Sequence, residues 1–208
     1  MVQATKMKGW MKAGGFGFLL LAVLWLTGCA GTVYDTAGDP KAKGLRIQVN
    51  VPEGWEKDAV TNRDMLMQFV RKNETTIEML QLHVHDVDGV EAGYFFPAGN
   101  AEPQEARHEV WKRMIGKHEG VELVSVADTM LPDGRPAVLA DSRMRMNREL
   151  FTAYARMKML YVYENEHMVV ATCGSCSLDE YRGEVDRLLE DRIAPVCQAY
   201  FDSLRFVE

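Results

Sequence analysis

No glycine-rich phosphate loop, no Gly-x-Ser-x-Gly elbow and no His-Glu-x-x-His pair occurs anywhere in the 208 residues. The linear signatures of P-loop nucleotide chemistry, serine hydrolysis and zinc proteolysis are therefore missing. Paired carboxylates leave no such trace, so enzymatic function is made less favourable rather than excluded. Basic stripes interleaved with aromatics are missing as well. The formal net charge is −6, and residues 1–28 contain three lysines and no acid, so beyond Gly28 21 basic residues face 30 acidic ones, a net of −9. A surface of that sign repels nucleic acid and anionic headgroups, and no nucleic-acid partner is expected. There is no internal repeat and no low-complexity block, and no motif asks for a cofactor. The longest apolar run, Phe16 to Leu26, falls short of the roughly 20 residues of a comfortable transmembrane helix.

That short run is nonetheless the most informative segment. Lys6, Lys8 and Lys12 precede it, and small Thr27 and Gly28 follow it, immediately before Cys29. Positive charge holds the leading end at the cytoplasmic face, the apolar run enters the bilayer, and the small residues admit a peptidase. An ordinary secretory signal or an uncleaved anchor would share the first features, but not the placement of the cysteine. Leu26-Thr27-Gly28-Cys29 resembles the lipobox of bacterial lipoproteins at every position. The resemblance implies that residues 1–28 are a signal peptide, that the Cys29 thiol carries diacylglyceryl, and that the new amine is acylated. Two or three such chains anchor a protein stably to a membrane. Ala30 stands where Asp would signal retention, which by the same resemblance favours the outer membrane of a two-membraned cell, with the domain facing the periplasm.

Residues 29–44 are small, polar and turn-prone, and read as a flexible tether. Residues 45–208 are enough for one folded domain with a real core. Leu45, Ile47, Val49 and Val51 alternate with polar residues as a half-buried strand ending at Pro52. A hairpin follows, with strands around Met65 to Phe69 and Thr76 to Val87. Gly89 to Asn100, with three glycines and the aromatics Tyr94, Phe95 and Phe96, reads as a loop crossing the domain. A helix opens at Glu102-Pro103-Gln104-Glu105, with acids toward the positive end of its dipole, and carries Val110, Trp111, Met114 and Ile115 on one face. Four strands then meander: Val121 to Met130, Ala137 to Met146, Leu150 to Tyr163 and Met168 to Cys173. Ser177 with Glu180 reads as a capping box opening a long final helix, with Pro195 as a kink.

This order predicts an α+β domain: an antiparallel sheet of about six to seven strands, a mid-chain helix and a long C-terminal helix. Val51-Pro52-Glu53-Gly54-Trp55, the mid-chain helix, the meander and the closing Phe201-Asp202-Ser203-Leu204-Arg205-Phe206 resemble the PsbP-like and DcrB-like α/β/α sandwich group. The resemblance covers Leu45 to Val207 and implies core roles for Trp55 and Phe206. It also implies an extrinsic or accessory role on a larger protein assembly. It brings no catalytic residues.

Three clusters are candidates for chemistry. Cys173-Gly174-Ser175-Cys176 sits between a predicted strand and a predicted helix start, where backbone amides lower a thiol pKa. A continuous helix from Ser177 would carry Cys197 roughly 30 Å away, beyond the Cα separation of about 7 Å that a disulfide tolerates. Cys173 and Cys176 are therefore expected to pair, either as a structural clip or as a thiol-disulfide exchanger, with Cys197 buried. His83 and His85 share one strand face at metal-ligand spacing, yet a closed site needs about four ligands, so simple solvation of a strand face competes with metal binding. Met144, Met146, Met157 and Met159 form alternating pairs on two neighbouring strands, suited to core packing or to holding copper(I). The leading expectation is a lipid-anchored envelope accessory or binding protein, non-enzymatic, bound to the membrane through Cys29 and to a protein partner. The rival is an envelope thiol-disulfide protein using Cys173 and Cys176.

Overall fold

The computed structural model describes residues 31–208 apart from 61, 88, 98–102 and 148. The predicted signal peptide and Cys29 lie outside the described residues. Strict alternation in the chain sets up a seven-stranded antiparallel sheet. Its strands are β3 (Glu56–Lys57), β4 (Met65–Lys72), β5 (Thr76–Asp86), β6 (Val121–Met130), β7 (Pro136–Asn147), β8 (Thr152–Glu164) and β9 (His167–Leu178), and their spatial order is β3-β4-β5-β9-β8-β7-β6. The β8–β9 hairpin turns through Asn165 and Glu166, at φ 49° and 64°. Two successive positive φ values match the right-handed twist of the flanking strands. A smaller sheet consists of β2 (Ile47–Val51) between β1 (Thr32–Asp35) and β10 (Arg205–Phe206).

Even-numbered positions of β5, Leu80, Leu82 and Val84, point to one face and are completely buried. They meet Leu160 and Val162 of β8 and Val169 and Ala171 of β9 under the C-terminal helix. Burying each such aliphatic side chain contributes roughly 1.5–3 kcal/mol. The helix consists of α3 (Arg182–Leu188), a π turn (Leu189–Ile193) and α4 (Ala194–Asp202). Val185, Leu189, Ile193, Cys197 and Tyr200 form its inner stripe, each at most 1% exposed. Pro195 lacks an N–H to donate backward, so the turn ahead of it widens to π geometry instead of breaking the helix. Ile47, Val49 and Val51 of β2 close this core from the side. The opposite sheet face carries α1 (Gly89–Phe95) and α2 (Gln104–Gly116), with Ala92, Phe96, Trp111 and Ile115 packed on Val138, Ala140, Tyr161 and Val170. Helices thus flank the large sheet on both sides, and the predicted α+β class, mid-chain helix and long C-terminal helix are present.

Three local expectations are corrected. Residues 31–44 are not a loose tether: β1 pairs with β2 along its whole length, Arg46 grips Asp35 at 2.8 Å, and Ala42 is buried at 1%. The folded domain therefore begins ahead of Leu45. Of the stretch read as a loop, Gly89–Phe95 is helical, because Ala92 and Phe96 can be buried against Trp111 and the indole N–H donates to the Phe95 carbonyl at 2.8 Å. Tertiary burial there outweighs poor helix propensity. Ser177 is not a helix cap, because β9 continues to Leu178 and the Ser177 hydroxyl donates to the Thr75 carbonyl.

Candidate functional site

Helices α1 and α2 cover only part of their sheet face. Alternation that sends Leu82 and Val84 inward turns His83 and His85 the other way, toward the uncovered part. The same parity in β8 turns Met157 and Met159 to this face, with Tyr161 below them, and in β9 turns Met168 and the buried Val170 and Thr172 to it. From β7 come Ser142 and Met144. The last turns of α2 overhang this surface with Met114 and, through the backbone bond from His118 to the Ile115 carbonyl, His118. Together these enclose a groove of about 530 Å³.

The two histidine rings stack face to face, with centroids 5.9 Å apart and planes 12° from parallel. Burial, reinforced by the neighbouring His85 charge and opposed by Asp64, pushes the His83 pKa down to about 4. His85 is lowered as well, first by burial, with Lys43 adding to it and Asp64 and Asp86 opposing. Its Nδ1 lies 3.8 Å from Asp64 Oδ2. That spacing permits an ion pair only with a protonated ring, and the net downward shift works against that state. Met159 Sδ accepts a hydrogen bond from the Tyr161 hydroxyl at 3.2 Å. The groove therefore presents imidazoles and thioethers, and Glu119 is the sole carboxylate among its described lining residues. No paired carboxylates and no nucleophile–base pair meet there. No group of three or more His, Cys, Asp or Glu suited to a metal is found among the described residues.

The histidine pair and the methionine pairs, separate in the sequence, converge on this one groove. Met144, Met157 and Met159 line it, whereas Met146 lies on the same sheet face beyond its end. The cysteines do not converge as expected. Cys173 is bonded to Cys197, with Cα atoms 5.4 Å apart, and Cys176 is free. Because β9 continues past Cys176, Cys173 and Cys176 point to opposite sheet faces. The C-terminal helix then doubles back over the strand and returns Cys197 to Cys173. A helix running on from the strand would hold Cys197 about 30 Å from Cys173; this one runs back over β9 and brings the two together. Burial pushes the Cys176 thiol pKa up, the reverse of an activated thiolate. A Cys173–Cys176 exchange couple is thus ruled out by geometry.

Sequence reasoning missed a polar layer beneath the C-terminal helix. Arg156, 7% exposed, donates to Glu190 Oε1 at 2.7 Å and to Asp141 Oδ2 at 3.2 Å. Glu78, completely buried, pairs with Arg71 and accepts from Asn73 at 2.9 Å. A signal was present: Glu78 and Arg156 share the parity of Leu80 and Leu160, so inward charge was readable from alternation alone. Of the three adjacent aromatics, Phe96 is 2% exposed and Phe95 meets Trp111 edge-on, while Tyr94 remains outside at 48%.

No known family model matches the chain, so the PsbP-like and DcrB-like resemblance rests on its sequence motifs alone. A stretch of 120 residues is 27% identical to a UPF0758 protein of Xanthomonas oryzae pv. oryzae, covering 51% of this chain and 53% of that protein. The chain thus spans about half the length of the curated relative it matches. Among solved structures it is similar to LpqN, involved in cell envelope biogenesis of Mycobacterium tuberculosis, with a TM-score of 0.47 and 10% identity over 91% of this chain and 97% of that one. It is also similar to PA94, a protein of unknown function from Pseudomonas aeruginosa, with a TM-score of 0.32 and 12% identity over 69% and 88% of the two chains.

Proposed function

We propose that this protein is a lipid-anchored, non-enzymatic accessory or binding module of the bacterial cell envelope, facing the periplasm, whose ligand or partner seats in the groove between α2 and the open part of the sheet. Leu26-Thr27-Gly28-Cys29 carries the location. Ala30 in place of Asp supports the outer membrane where a cell has two. The groove carries the binding role: it is half-walled by helices, rich in adaptable thioethers, and lacks the paired acids or activated nucleophile that chemistry would need. Only Ala30 and Gly31 separate Cys29 from β1, so a lipid on Cys29 would leave a leash of about 7 Å at full extension. Such a module works beside the headgroups rather than at a distance from them, and its net charge makes acyl chains, not electrostatics, the source of membrane affinity.

Two measurements test this. Intact mass of the N-terminal fragment from native envelopes should show a triacylated or diacylated Cys29; an unmodified thiol or an uncleaved leader refutes the location. A photo-crosslinking side chain at position 144, inside the groove, should trap one stoichiometric envelope component that the same probe at exposed position 33 does not trap. Equal trapping at both positions refutes the groove as the binding surface.

A further inference from the structure

Five of the ten methionines beyond Gly28 and three of the five histidines line this one groove. Methionines used for packing are buried, as Met67 is at 0%. Met114, Met144, Met157, Met159 and Met168 are only partly buried; Met114, Met159 and Met168 pack on the cluster around Trp111 with one side and face the groove with the other.

We propose that the groove is a binding site for a soft monovalent metal ion, copper(I) in the cell, held by thioether sulfur and imidazole nitrogen; the inference rests on the reading of the groove as the ligand site and names its ligand. The donor set decides the class of ion. Thioethers select copper(I) among biological metals, whereas calcium and magnesium require several oxygens, and structural zinc takes four donors from thiolate, imidazole and carboxylate. One carboxylate supplies too few oxygens for calcium or magnesium, and no three His, Cys, Asp or Glu among the described residues group closely enough to hold zinc.

Register assembles the donors. His85 lies directly opposite Met168 on the adjacent strand, and His83 is diagonal to Met168 on the same face. Such neighbours have Cβ atoms about 5 Å and about 7 Å apart, within reach of long side chains. The parallel stacking of the two rings presents their lone pairs side by side rather than converging. One imidazole with thioethers is therefore the arrangement this geometry favours over a bis-imidazole site. His85 is that imidazole, because it lies opposite Met168; Asp64 stands 3.8 Å from its Nδ1, which leaves Nε2 for the ion. Met168 is the first sulfur. Met114, overhanging the same groove from α2, is the next, whereas Met159 stands opposite Thr172, four residues along the strand from Met168.

Silver(I) tests the site without redox chemistry, and without a reductant that would open the Cys173–Cys197 bond. The probe is silver nitrate added to the lipidated protein in micelles, with the Cys176 thiol blocked by alkylation and the methionine methyls labelled for NMR. The expected result is saturation at one equivalent, with shifts of the Met168 methyl and the His85 ring, while Met130, 71% exposed, and Met67 stay still. The double variant His85→Gln, Met168→Leu should lose roughly tenfold or more in affinity, and Met130→Leu none. Met168→Leu alone keeps side-chain volume and guards against a folding defect in the double variant. Unsaturable binding, shifts as large at Met130 as at Met168, or an unchanged affinity in the double variant would overturn the metal site. If silver leaves the groove methyls unmoved while the envelope component trapped at position 144 still shifts them, the metal inference falls and the binding groove stands. If neither shifts them, both fall.

Discussion

Replacing Cys173 and Cys197 together by alanine removes a bond that closes 24 residues of chain separation. In the chain-entropy description, releasing a loop of that length returns about 3.5 kcal/mol of freedom to the unfolded state at room temperature. Both cysteines lie in the core, 0% and 1% exposed, so loss of the sulfurs adds a small void and brings the cost to about 4 kcal/mol. For a domain of this size each kcal/mol moves the melting temperature by about 2–4 °C, so a fall of roughly 8–16 °C is expected. Urea unfolding of the unreduced protein and the variant measures the difference. A non-reducing tryptic map identifies the bond independently, because cleavage after Lys158, Arg182 and Arg192 places Cys173 and Cys176 on one peptide and Cys197 on another. The fragment 159–182 should travel linked to 193–205, with Cys176 open to alkylation. Unlinked fragments with Cys197 alkylated, or a stability loss below about 1 kcal/mol, would refute the bond and the doubled-back helix that makes it.

His83 should make stability fall on acidification. Its folded pKa of about 4 lies below the unfolded value of 6.5, so the unfolded chain binds the extra proton between those pH values. The stabilisation is full above pH 6.5 and is lost toward pH 4, by about 3 kcal/mol. Unfolding of His83→Gln across the same range should lack that component, and parallel pH curves would contradict it. Gly120→Ala should destabilise by about 1–3 kcal/mol, because Gly120 sits at φ +78° and a Cβ would meet the Arg145 carbonyl oxygen at 2.1 Å; a neutral effect in thermal unfolding counts against the α2–β6 turn described here. Trp111→Ala should cost about 3–5 kcal/mol, since the indole is completely buried between Tyr161 and the α1 aromatics. Faster amide exchange confined to α1, α2 and the adjoining strands would accompany that loss, and unchanged exchange there would refute the packing.

Alternation was the strongest signal in this chain and it held where burial is one-sided. Leu80, Leu82 and Val84 against His83 and His85 read the same way in sequence and in space, as did the β7–β8–β9 meander. Failures occurred where a segment depends on distant partners. Gly89–Phe95 has the composition of a loop and becomes helix because Trp111 offers Phe96 a place to be buried. Thr32–Asp35 is too short to announce itself, and pairing with β2 orders it. Ser177 and Glu180 fit a capping box by spacing, yet the neighbouring β5 and β8 continue far enough to hold β9 extended to Leu178.

From the residues alone came the expectation of a leader ending at Cys29, the α+β class, the parity of each strand, and the separate histidine and methionine motifs, because each depends on spacings of a few residues. Only the tertiary structure decided which cysteines pair and that both motifs share a groove. Cys173 meets Cys197 because a helix reverses over its strand, and His85 meets Met168 because β5 lies beside β9 in the sheet. Neighbour relations of that kind are set by which faces bury one another, and that information is spread across the whole chain rather than held at any one site.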